Sequence, residues 1–170
     1  NESPMGFNGR IITSFMYNGH YEEFTDDELR FLVAFQADGS ILSKNRVAFR
    51  IKKNKKFLRL LELLKNINAE YRVGKNTLDF GVYVKTDERI KKLCVKKFPK
   101  TFMKYSIRQK EIILDELKYW DATIRRANSF VYYTTIKENI EVITFIANSI
   151  NKRCNLTIVD RVNKKNKTCP

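Results

Sequence analysis

At 170 residues and 43% hydrophobic content, the chain is long enough to bury a sizeable core and too apolar to be disordered. No run approaches 18 apolar residues, which sets aside a membrane span, and Cys94, Cys154 and Cys169 are odd in number and lack metal-ligand spacing, which sets aside a disulfide framework or a zinc site. The 33 Lys and Arg outnumber the 19 Asp and Glu, for a net charge of +14, and point to a polyanionic partner. With nothing at the start that reads as a signal peptide, an intracellular, reducing location is expected. The basic residues alternate with strand-forming apolar ones instead of lying along an amphipathic helix, which favours nucleic acid over an anionic membrane.

In chain order, residues 1–24 read as an arm or edge strand, with a short apolar run at 11–17 and a turn at Asn18-Gly19. His20 is the single histidine, so a histidine metal site is not expected there. A helix follows over 25–38. Thr25 and Glu28 have the spacing of a capping box, and Asp26 and Asp27 suit the positive end of the helix dipole. Leu29, Leu32, Val33 and Phe35 to Ala37 make the helix apolar over most of its circumference, so it should be buried. It delivers a carboxylate, Asp38, at its end and is followed at once by Gly39. Carboxylates avoid interiors unless paired or metal-bound, which marks Asp38 as a candidate for chemistry.

Residues 46–52 alternate: Val47, Phe49 and Ile51 on one side, Arg46, Ala48, Arg50 and Lys52 on the other, the pattern of a strand with a core face and a basic face. A helix is predicted from Asn54 with Phe57, Leu58, Leu60, Leu61, Leu64 and Ile67 inward. Residues 69–73 and 77–85 read as a hairpin about 74–76, with Leu78, Phe80, Val82 and Val84 on one face and Tyr83 and Lys85 on the other. A helix over 86–96 ends before Phe98-Pro99. Allowing one strand in 39–44, the first half becomes αββαββα.

A second helix of the first kind starts at Ser106, where Gln109 completes another capping spacing, and leads through Leu114, Leu117, Tyr119 and Trp120 into Asp121. Asp38 and Asp121 are 83 positions apart, the mark of an internal repeat. Residues 128–135 read as a strand. Thr135 and Glu138 suggest a third capping box opening a helix through 151, with Ile140, Ile143, Phe145, Ile146 and Ile150 inward, and 154–162 reads as a last strand.

The nonapeptide at 31–39, Phe-Leu-Val-Ala-Phe-Gln-Ala-Asp-Gly, resembles the signature of LAGLIDADG homing endonucleases, with Leu114 to Ala122 as a degenerate second copy. Val33 stands where a small residue is usual, Gln36 replaces the sixth-position acid, and Ala122 replaces the closing glycine. The resemblance implies an α+β fold: a pseudo-twofold pair of αββαββα repeats, 25–105 and a shortened 106–170, behind the arm at 1–24, with antiparallel sheets forming a DNA-binding saddle. It implies a monomeric, metal-dependent endonuclease on a long double-stranded DNA site, free-standing or the nuclease domain of an intein, with Mg²⁺ or Mn²⁺ as cofactor. Asp38 and Asp121 would be the metal ligands and catalytic residues, and the carbonyls of Gly39 and Ala122 would add coordination. A lysine near the scissile phosphate would be Lys104, with Lys100 second. DNA contacts would come from Lys44, Arg46, Arg50, Lys52, Tyr83, Lys85, Arg125, Arg126, Tyr133 and Thr135. The degenerate Trp120-Asp121-Ala122 keeps open a second reading, a DNA- or RNA-binding regulator or splicing cofactor of the same fold that does not cut.

Overall fold

The computed structural model describes residues 15–21, 23–75, 79–126, 129–152 and 154, with backbone alone at 75 and 126. The predicted strand at 154–162 and the first part of the arm therefore fall outside the described residues, apart from Cys154 and residues 15–17.

Helix α1, Asp26–Asp38, begins with the full capping box: Thr25 accepts from the Glu28 amide, and the Glu28 carboxylate accepts from the Thr25 amide at 2.9 Å. Leu29 and every residue from Phe31 to Phe35 are fully buried. At about 1.5 to 3 kcal/mol for each large side chain removed from water, this helix is the centre of the core. Strands β1, Gly39–Ser43, and β2, Arg46–Ile51, follow directly, so the strand allowed for in 39–44 exists. Phe31 and Phe35 meet Phe49 of β2 edge to face, with ring centroids 6.0 and 5.9 Å apart.

Helix α2, Asn54–Asn66, buries Leu60, Leu63, Leu64 and Ile67. Leu58, expected inward, is 57% exposed, because the stripe through Phe57, Leu60, Leu64 and Ile67 passes one position to its side. Asn68, with φ 51°, ends the helix in the left-handed conformation that asparagine tolerates. Strands β3, Tyr71–Lys75, and β4, Phe80–Lys85, complete a four-stranded antiparallel sheet in the order β1-β2-β4-β3. Gly74 and Lys75 sit in the ladder opposite Gly81 and Phe80, not in the turn where the sequence suggested them. Helix α3 is shorter than expected, Glu88–Leu93, and is capped by Asp87, whose carboxylate accepts from the Ile90 amide at 2.8 Å. The first half is thus αββαββα, with α1 and α2 on one face of the sheet.

After a 3-10 turn at Lys100–Lys104 comes α4, Ile107–Leu117, packed against α1. Ser106 accepts from the Gln109 amide, but the Gln109 side chain donates to the Phe24 carbonyl, so this cap is one-sided. Strand β5, Ala122–Arg126, which the sequence reading missed, pairs with β6, Ser129–Tyr132. Helix α5, Lys137–Ser149, starts after Ile136 with no side-chain cap; the Thr135–Glu138 box is not formed, and Thr134 Oγ1 accepts from the Ile136 amide instead. Asn151, at φ 59°, follows the end of this helix. Within the described residues the second half runs αββα, the same order in which the first half begins. None of the described helices is long and apolar enough to cross a membrane.

The arm at 15–21 lies across the second half. The Phe15 and Tyr17 amides donate to the carbonyls of Asn148 and Ser149, and the Gly19 and Tyr21 amides donate to those of Tyr105 and Lys104. Asn18 Oδ1 accepts from the Ile107 amide at the start of α4. A Cβ on Gly19 would fall 1.7 Å from the Lys104 carbonyl oxygen, so only glycine lets the arm pass there. Beneath it Lys110 is wholly buried, its ammonium donating to the Tyr17 carbonyl at 2.7 Å and lying 4.6 Å from the Tyr17 ring centroid.

Candidate functional site at the ends of the two motif helices

The last turn of α1 and the turn after α4 lie side by side. Asp38 is the final residue of α1, and its Oδ2 is 2.6 Å from Lys56 Nζ on α2. Gly39 opens β1 so close to α1 that a Cβ would fall 2.3 Å from the Phe35 ring. That near approach is the physical need for the closing glycine of the first motif. In the second copy, Ala122 opens β5 opposite Tyr132 and keeps its methyl group.

Asp121 is not at a helix end. It sits four residues past Leu117, after a turn in which the Tyr119 and Trp120 amides donate to the carbonyls of Glu116 and Leu117. It is half-buried, and burial raises its pKa above the ordinary carboxylate value. The neighbouring Asp38 charge raises it further, while Lys56 and Lys96 pull it back. Lys96 Nζ donates to the Phe35 and Gln36 carbonyls at 3.1 and 3.0 Å, which satisfies the C-terminal end of α1. Burial lowers the proton affinity of Lys96, and the charges of Asp38 and Asp121 restore part of it. Gln36, where an acid was expected, is buried and accepts from the Tyr132 hydroxyl at 3.5 Å. A carboxylate there would have added a third negative charge to a half-closed site.

The aspartates and two lysines thus form one electrostatic group. The divalent ion implied by the resemblance can be tested on this donor set. Among the described residues no group of three His, Cys, Asp or Glu side chains gathers to hold a metal. One Asp38 oxygen already carries the Lys56 ammonium. As arranged, the residues fit two lysine cations better than a resident divalent ion.

Asp121 gives this site a pH signature. Its pKa is raised in the fold, so the native state binds this proton more tightly than the unfolded chain. Its contribution to stability is full below the unfolded value of about 3.8 and is lost as pH rises through the raised one. Asp121→Asn is therefore expected to raise the melting temperature at pH 7 and leave it unchanged near pH 3. Thermal melts at the two pH values check this; equal gains at both would refute it.

The other expected site residues are scattered. Lys104 and Lys100 bound the 3-10 turn ahead of α4, about 16 Å of helix away from Asp121. They are replaced near the aspartates by Lys56 and Lys96. Neither was distinguishable in the sequence from the neighbouring lysines of 52–56 and 96–97. Lys44, in the turn before β2, is exposed, as are Arg46 and Arg50 on β2 and Lys52 just after it. Register places Arg46 beside Lys85, and Arg50 beside Gly81. Ala48, Tyr83 and Arg72 form one row across β2, β4 and β3. This outer face turns away from the core and is basic. Arg72 belongs to it and was missed. Lys85 also pairs with Glu70 at 2.9 Å, both side chains being open to water. Arg125 is exposed on β5, where Arg126 follows it. Tyr133 lies just past the end of β6, where its amide donates to the Asp121 carbonyl and its side chain is exposed; Thr135 is exposed in the following loop.

No protein-family model and no curated protein sequence matches the chain. Among solved structures it is similar to full-length DUF199/WhiA from Thermatoga maritima, with TM-score 0.53 and 13% identity over 78% of this chain. It is also similar to the N-terminal LAGLIDADG domain of DUF199/WhiA, with TM-score 0.55 and 12% identity over 81% of this chain and 72% of that one. The match spans 47% of the full-length protein, about half its length. Identities this low establish the fold alone: this chain has the α+β, antiparallel-sheet fold of a LAGLIDADG domain.

Proposed function

We propose that the chain is a nucleic-acid-binding module on the LAGLIDADG fold, a regulator or splicing cofactor that holds DNA or RNA without cutting it. The observation that carries this reading is the outer sheet face, where Arg46, Arg50, Arg72 and Lys85 project from three adjacent strands. The motif aspartates, by contrast, are answered by lysines of the same chain. Cationic side chains on a ribbon of this kind bind phosphates through counterion release and position the strands against a nucleic acid. Two units are proposed to share the work, 25–105 with the larger face and 106–170 with the smaller, behind the arm at 1–24.

A second reading is favoured by one observation: Asp38 and Asp121, far apart in sequence, are brought together. On it the chain is a monomeric, site-specific double-strand endonuclease on a long DNA target, using Mg²⁺ or Mn²⁺. The ion would supply an activated water and charge stabilisation at the phosphate, and Lys56 would leave Asp38. One experiment separates the two. The chain is titrated into labelled duplex DNA over a range of salt, then incubated with long DNA and Mg²⁺. Salt-sensitive binding with intact DNA is the expected result. Absence of binding at low salt to this duplex, and to single strands and RNA as well, would refute the module, and cutting abolished by Asp38→Asn would establish the nuclease.

A further inference from the structure

The centre of the outer face is not cationic. Tyr83 on β4 leans over two glycines that face each other across the ladder, Gly81 and Gly74. A Cβ on Gly81 would lie 3.3 Å from Tyr83 Cε2 and Oη, and one on Gly74 would lie 3.6 Å from Cε2. The ring therefore lies low on a glycine floor. On its other side the register sets Ala48, with Ser40 beyond it. Among these small neighbours Tyr83 is 38% exposed. The Arg72 guanidinium lies over the ring, 5.9 Å from its centroid, so a base stacking on Tyr83 would displace it or share that face with it. Cations stand around this aromatic centre: Lys85 and Arg46 toward one end, Arg50 toward the other.

An open aromatic surface ringed by positive charge suits one ligand chemistry in particular. Direct readout of a duplex groove uses long side chains that hydrogen-bond to base edges, whereas a duplex hides the flat faces of its bases. Unpaired bases expose those faces and stack on aromatic side chains while their phosphates meet Lys and Arg. We propose that Tyr83 is a stacking platform for an unpaired nucleobase, with Arg46, Arg50 and Lys85 taking the flanking phosphates. The inference rests on the nucleic-acid-binding reading and names its substrate: a strand with exposed bases in preference to a continuous duplex.

The test compares binding of the full chain to single strands of about 12 nucleotides, as DNA and as RNA, with binding to the matching duplexes. Wild type, Tyr83→Ala and Tyr83→Phe are measured by fluorescence anisotropy. The single strand should bind more tightly than the duplex. Tyr83→Ala should lose roughly ten-fold or more on the single strand, with little change on the duplex, and Tyr83→Phe should behave as wild type. A strand carrying 2-aminopurine should lose emission on wild type and Tyr83→Phe but not on Tyr83→Ala. The DNA and RNA arms show which strand supplies the base. Equal losses on strand and duplex, or no loss, would overturn the platform and leave the nucleic-acid reading standing. No binding to any of the four ligands would remove that reading itself.

Discussion

Replacing Arg59 with alanine is expected to destabilise the fold by about 3 to 5 kcal/mol, the usual cost of stranding one member of a buried ion pair. Arg59, on α2, reaches across to Glu116 on α4, whose side chain is 1% exposed. Its Nε donates to Glu116 Oε1 at 3.1 Å and its Nη2 to Oε2. The same Oε1 accepts from Trp120 Nε1 at 2.8 Å, and the guanidinium lies 5.0 Å from the Tyr119 ring centroid. One arginine therefore ties the first half to the turn that carries Asp121. Without it, the Glu116 carboxyl group is left in the interior with a single indole as partner. The melting temperature should fall by at least roughly 6–12 °C. Adding Glu116→Gln to Arg59→Ala should recover part of the loss, because glutamine still accepts from Trp120 and carries no charge. Denaturant titration of the two variants measures this, and a loss under about 1 kcal/mol for Arg59→Ala would show that the pair holds little.

The second large effect is on binding. Reversing Arg46 and Arg50 to glutamate should weaken nucleic-acid binding by about a hundred-fold or more at 0.1 M salt, since two attractions become repulsions. The slope of log affinity against log salt should become shallower by at least about two. Both residues are exposed on β2, so the melting temperature should barely move. An affinity within three-fold of wild type, with an unchanged slope, would show that the nucleic acid lies elsewhere.

What could be read from the sequence was local. The Thr25–Glu28 box, the apolar run of α1 and the alternation through 46–52 are set by neighbours a few residues away, and all three appear in the fold. Asp38 and Asp121 come near each other because α1 packs against α4 and the turn after α4 carries Asp121 back beside the end of α1, a turn the repeat spacing did not show. The lysines beside them could not be read from it either. Lys56 and Lys96 come from a helix and a loop whose positions depend on the whole core. The Thr135–Glu138 box failed because a capping pattern states what a backbone is able to do, and here the chain turns one residue later. Strand β5 was missed because Ala122–Arg126 is short and carries two adjacent arginines, so it shows no apolar alternation of its own, although its partner β6 lies inside the strand read at 128–135.

The arm bears on where this protein can be cut apart. Lys110 has no exposure, and burial lowers the affinity of its amine for a proton. The Tyr17 carbonyl is its hydrogen-bond acceptor, and the Phe145 ring lies 5.9 Å away. A fragment started at Thr25 would strip that acceptor together with the Phe15 and Tyr17 rings that cover Phe145, opening Lys110 and this apolar surface to water. Dissection at the edge of the first repeat would thus damage the second, and residues 15–21 belong to the same cooperative unit as the helices they cross.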